Sequence, residues 1–149
     1  MSEGSRLRVV ERSAIVTHTP AQMFALVDDV ARYPEFLPWC VGARVRESSP
    51  TERIAAIDIA KGSLKMHFTT KNTVQPDAQI LMELIEGPFS RLMGKWNFDA
   101  IGERGSRVLF KVEFEFKNKL MAIAMNPVFE SVCDKIVDAF VLRAQTAYR

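Results

Sequence analysis

Residues 119–149 read KLMAIAMNPVFESVCDKIVDAFVLRAQTAYR, and the layout of the chain depends on what this stretch does. At helical spacing Phe129, Val132, Cys133, Ile136 and Phe140 fall on one face, with Glu130, Asp134, Asp138 and Gln145 on the other. No Gly interrupts the run, which predicts a long amphipathic helix. Pro127 is the exception. It cannot donate to the carbonyl of Ile123 and its ring crowds that oxygen, so a kink is expected there, or a restart with Asn126 as N-cap. The lead-in, Leu120 to Met125, is rich in Leu, Met, Ile and Ala.

What this rod lies on is set by the residues upstream of it. Val108, Phe110, Val112, Phe114 and Phe116 alternate with Lys111, Glu113, Glu115 and Lys117, the period of a strand with one buried face. The same period recurs further back, between turn signals. Trp96, Phe98 and Ala100 alternate with Lys95, Asn97 and Asp99 up to Gly102, and Ile80 to Ile85 ends at Glu86-Gly87-Pro88. Leu64, Met66 and Phe68 alternate with Lys65, His67 and Thr69 in a strand that continues to Val74 and breaks at Pro76-Asp77. Arg53 to Ala60 turns at Lys61-Gly62, and Val41, Ala43 and Val45 alternate with Gly42, Arg44 and Arg46 before Ser48-Ser49-Pro50. Six consecutive short strands predict an antiparallel meander. Before them, residues 1–5 read as a frayed tail and Val9 to Thr17 as a first strand. Thr19, Pro20 and Gln22 form a capping box that opens a helix with the stripe Met23, Phe24, Val27, Val30 and Ala31. This helix should end near Ala31, because Pro34 forces the preceding backbone out of the helical region.

The order is therefore strand, one or two short helices, six strands and a long helix. It predicts an α+β domain, a curved seven-stranded antiparallel sheet wrapped around the C-terminal helix. One helix touches only part of such a concave face. The inward residues Phe68, Met82, Trp96, Phe98, Phe110, Phe114, Met125 and Phe129 then either fill the space or line a cavity for a hydrophobic guest. Met121 and Met125 favour the cavity, since methionine adapts to irregular contents. The stretch Tyr33 to Cys40, YPEFLPWC, either plugs one end of the core or forms the rim of a pocket.

The 149 residues, 48% hydrophobic, fit one domain over residues 1–149. A net charge of +2, from 20 basic and 18 acidic side chains, is too balanced for a dedicated DNA binder. Arg44, Arg46 and Arg53 cluster locally and read either as a solvated sheet face or as phosphate contacts. Two cysteines in a chain with ample core argue for a reducing compartment, with Cys133 acting as a small hydrophobe. His18 and His67 lie far apart and there is no Cys-x-x-Cys, so no metal is expected. No apolar h-region opens the chain and no window reaches the ~18 apolar residues of a membrane span. By strand parity Lys65, His67, Asp99, Glu113 and Glu115 face away from the apolar side, and Asp28 and Asp29 lie on the outer side of the first helix. No acid–base pair faces inward, so no catalytic residue is expected.

The arrangement resembles the START-like, helix-grip superfamily. YPEFLPWC, EGPFSRLMGKWNF (residues 86–98) and NPVFESVCDKIVDAFVLRA (residues 126–144) resemble its coenzyme Q-binding branch. That branch holds mitochondrial ubiquinone-binding proteins needed for respiration and bacterial relatives, some described as ribosome-association toxins and many labelled polyketide cyclase or dehydrase. The resemblance implies a hydrophobic tunnel for a polyisoprenoid quinone. Tyr33, Pro34, Phe36, Pro38 and Trp39 would shape one mouth; Pro88, Phe89, Leu92, Trp96 and Phe98 the opposite wall; Phe129, Val132 and Ile136 the lid. The function expected is non-catalytic binding or carriage of ubiquinone or a similar lipid, with no other cofactor. The alternatives are a ribosome-associated, toxin-like factor and a cyclase-like enzyme. The expected setting is a bacterial cytoplasm, with peripheral contact at the inner membrane and a ribosomal subunit as the alternative partner.

Overall fold

A computed structural model describes residues 7–148; the tail read over residues 1–5 lies outside them. The elements are β1 (Arg8–Val16), α1 (Pro20–Asp28), a 3-10 helix (Val30–Glu35), β2 (Cys40–Ser48), β3 (Glu52–Lys61), β4 (Leu64–Gln75), β5 (Gln79–Glu86), β6 (Phe89–Ile101), β7 (Gly105–Phe116) and α2 (Lys119–Ala147). The sheet order is β1-β7-β6-β5-β4-β3-β2 and every pairing is antiparallel. β2 to β7 thus form the expected meander, and β1 closes onto β7 from the far end of the chain.

Turn chemistry sets the hairpins. Gly62, at φ +63°, joins β3 to β4 where Lys61 pairs with Leu64. Gly87 has no room for a side chain, because an added Cβ would meet Phe68 Cβ at 2.7 Å. The edge strand β2 departs from the simple alternation. Bulges at Cys40/Gly42 and Val45/Glu47 twist it, and Val41 and Val45 are exposed rather than inward.

The capping box forms as read: Thr19 Oγ1 accepts from the Gln22 amide at 3.2 Å and Gln22 Oε1 accepts from the Thr19 amide at 2.9 Å. The helix it opens is shorter than expected. α1 stops at Asp28 and the chain rewinds as a 3-10 helix that carries Pro34. Three residues per turn instead of 3.6 rotates Ala31 outward, so it is exposed while Val30 and Tyr33 are buried.

Pro127 does not restart the helix, and Asn126 is not a cap. α2 runs unbroken through Pro127, and the N-cap is Asn118, whose side chain accepts from the Met121 amide at 2.8 Å. Packing explains this. Buried residues stand on both sides of the proline, Ala122 and Asn126 before it and Phe129, Val132 and Cys133 after it. Their burial outweighs one missing backbone bond and the local clash. Asn126 is instead buried with Oδ1 lacking a partner.

α2 packs principally against β1 and β7, and its C-terminal end against α1, where Tyr148 Oη donates to the Gln22 carbonyl at 2.8 Å. The part of the concave sheet face built from β3, β4 and β5 receives less of the helix. Any hollow must lie there.

Candidate functional site

A cavity of about 80 Å³ lies between the concave face and α2. Ile57 and Ile59 of β3, Met82 of β5, and Leu92, Gly94 and Trp96 of β6 wall it on the sheet side. Phe110 and Val112 of β7 complete that wall. Phe129, Val132, Cys133 and Ile136 of α2 close it, and Val30, Tyr33 and Trp39 form its end. Strand parity positions the first group, since residues two apart share a face; the helical period positions the second. Trp39, Ile57 and Ile136 are only half-buried, so the wall thins where α2 faces β3.

Of the residues expected to contact a ligand, Tyr33, Trp39, Phe68, Met82, Leu92, Trp96, Phe110, Phe129, Val132 and Ile136 stand on this wall. The others do not. Phe89 and Phe114 belong to a solid aromatic cluster: Phe89 stacks on Phe116 at 4.6 Å between centroids, and Phe114 meets Phe129 at 4.7 Å. They lie where α2 covers β7, so no space remains beside them. Phe98 packs edge-on against Phe24, beneath α1. Phe36 is half-buried against Phe140, with the Arg143 guanidinium 4.8 Å from its ring centroid. Pro34 and Pro38 are exposed outside the wall. Pro88 and Met125 border a separate surface depression near Lys117. For the strand residues among them, Phe89, Phe98 and Phe114, parity gives the face correctly; it does not tell which part of that face the helix covers.

The sequence reading passes over Val30, Ile57, Ile59, Gly94, Val112 and Cys133, all on the wall. It also misses Thr70 and Asn72 of β4, the one polar pair there. Both are buried, and the Thr70 hydroxyl donates to Asn72 Oδ1 at 2.7 Å. Their signal was present: they continue the inward series Met66, Phe68 by steps of two, and only their polarity hides them.

None of the lining residues carries an acidic, basic or imidazole side chain. The titratable groups on the wall are Tyr33 and Cys133. Burial, helped by Asp28, Cys40 and Asp29, pushes the Tyr33 phenol well above its ordinary range, and its hydroxyl donates to the Val27 carbonyl. Burial, then Glu130 and Asp134, pushes the Cys133 thiol up in the same way. Both stay protonated at neutral pH. His67 faces the outer side as read, 3.5 Å from Asp58.

The three arginines do not form one patch. Arg53 shares the inward parity of Ile57 and Ile59, and its Nη2 lies 3.1 Å from Asp28 Oδ2 with both side chains largely covered. Asp28 is therefore this ion partner, not a free acid on an outer face. Arg44 lies on the opposite side of the sheet, 3.6 Å from Asp58. Among the described residues no cluster of His, Cys, Asp and Glu could hold a metal ion, and no helix is long and apolar enough to cross a membrane.

Comparison with known proteins bears on the fold and the family. The chain is 40% identical to the ribosome association toxin RatA of Escherichia coli (strain K12), over 93% of this chain and 88% of that protein. It is 28% identical to the mitochondrial coenzyme Q-binding protein coq10 of Schizosaccharomyces pombe, over 97% and 91% of the two chains. The Zhui aromatase/cyclase from Streptomyces sp. R1128 superposes with a TM-score of 0.86 over 96% of each chain; at 14% identity that likeness shows the fold alone. Residues 16–141 match the family model described as polyketide cyclase / dehydrase and lipid transport, and with its helix-grip architecture the chain belongs to that START-like family.

Proposed function

We propose that the protein binds a hydrophobic small molecule without transforming it, and that a polyisoprenoid quinone such as ubiquinone is its ligand. The observation that carries this reading is the cavity itself, apolar except for Thr70 and Asn72 and lacking charged side chains. Such a wall supplies transfer free energy, roughly 0.8 kcal/mol per methylene, and offers no group for proton transfer at neutral pH. At about 80 Å³ the space is smaller than the ~150 Å³ hollow that takes benzene, so a quinone ring enters only as the half-buried Trp39, Ile57 and Ile136 move outward. A whole tail exceeds the space, since pockets for drug-sized ligands span roughly 300–1,000 Å³. The tail would therefore leave past Trp39, Ile57 and Ile136. Organic extraction of the purified protein should yield a quinone by absorbance and mass, and added quinone should raise the unfolding temperature. Absence of both results rejects the reading.

A second reading is ribosome association, with the protein in a bacterial cytoplasm. It is favoured by the name of the Escherichia coli relative, 40% identical over nearly the whole chain. The exposed candidates for phosphate contact are Arg44 and Arg46, because Arg53 is held by Asp28. Salt-sensitive co-sedimentation with ribosomal subunits, lost in Arg44→Ala/Arg46→Ala, supports this reading; no co-sedimentation at low salt removes it.

A further inference from the structure

We infer that Thr70 and Asn72 select the ligand's head, a neutral ring that presents a carbonyl-type oxygen to the Asn72 amide. The inference rests on the cavity being a ligand site and goes on to name the chemistry it accepts. Thr70 and Asn72 are 4% and 6% exposed, and both stand on a wall that is otherwise apolar. Burying an amide there costs free energy unless its groups find partners, and Val or Leu would serve packing at least as well. The Thr70 hydroxyl donates to Asn72 Oδ1 at 2.7 Å, which occupies the amide oxygen and turns Nδ2 into the outstanding donor. Nδ2 makes none of the hydrogen bonds found among the described residues and, unlike Thr69 Oγ1, Asn126 Oδ1 and Arg143 Nε, it is not sealed off, so it stays within reach of a small molecule. A ligand acceptor is what it lacks.

The remaining wall narrows the chemistry. It carries no cationic side chain, so a carboxylate or phosphate head would enter without a counter-charge. Trp96 and Phe110, 4.6 Å apart between centroids, together with Phe68, offer ring faces and edges to a planar guest. A neutral cyclic ketone or quinone meets all three conditions; a plain hydrocarbon leaves Nδ2 unpaired.

The test compares duroquinone with durene, the same methylated ring with and without its carbonyl oxygens, by titration calorimetry on the full chain. Wild type should bind duroquinone about tenfold more tightly, the value of one hydrogen bond made in place of one lost. Thr70→Val/Asn72→Leu removes both polar partners at once and leaves no orphan, so folding should survive. In that variant durene affinity should be kept or improved and the preference for the quinone abolished. Equal wild-type affinity for the two rings, or a preference that survives in the double variant, overturns the inference while leaving the cavity reading intact. Binding of neither ring overturns both. The wild-type comparison needs no variant, so a misfolded mutant cannot shelter the idea.

Discussion

Cys133 stands on the cavity wall with its thiol held protonated by burial, and this has a consequence for pH dependence. An unfolded thiol ionises near 8.5. The folded one resists, so the unfolded state gains charge first as pH rises. Stability from this group is complete below about pH 8.5 and is lost as pH climbs towards the raised folded value, at up to about 1.4 kcal/mol per pH unit. Cys40, raised mainly by burial, acts in the same direction. Urea denaturation between pH 8 and 9.5 should show falling stability, with a shallower fall in Cys133→Val. A rising curve would contradict the assignment. At the same scale, Phe114 is fully buried in the aromatic cluster away from the cavity, so Phe114→Ala should cost about 3–5 kcal/mol. Trp39, half-buried at the cavity's end, should be dispensable for folding; Trp39→Ala should keep its denaturation midpoint within a few degrees and lose quinone uptake.

For the elements, the informative case is α2. Pro127 is exposed, inside an unbroken helix, with buried residues on both sides. Replacing it restores one backbone donor and relieves the ring's clash. Pro127→Ala should therefore stabilise the protein, on the order of 2 kcal/mol by urea denaturation. An unchanged or lower value would mean that the fold accommodates the proline at no cost. Most elements could be read from local pattern, because each has a local cause: the box at Thr19 and Gln22, the turn at Gly62, the alternation from Val108 to Phe116. The misreadings arose where a distant partner decides. A proline rule predicts a break at Pro127, but Phe129 and Val132 lie against a surface that the rule does not see. Phe110 and Phe114 share strand, face and residue type, yet one borders the cavity and the other is packed solid. Only the resting place of α2, over β1 and β7, separates them.

At the scale of the molecule, the hollow is an incompletely filled core, and its walls have been left short of full packing. Filling it should trade function for stability. Ile57→Phe projects a ring from β3 into the cavity and should raise the unfolding free energy by about 1 kcal/mol while abolishing quinone protection. A variant that gains stability and still binds would place the ligand elsewhere.

The closure of β1 onto β7 also bears on how the chain is made. Arg8 pairs with Phe114 and Val16 with Ser106, so the earliest strand to be synthesised is matched to the latest. Until residues 105–116 have emerged from the exit tunnel, Val10 and Val16 have no sheet to join, and their apolar side chains wait in water. β1 cannot be secured until β7 is available, and such long-range pairing closes slowly and leaves apolar surface open in the meantime.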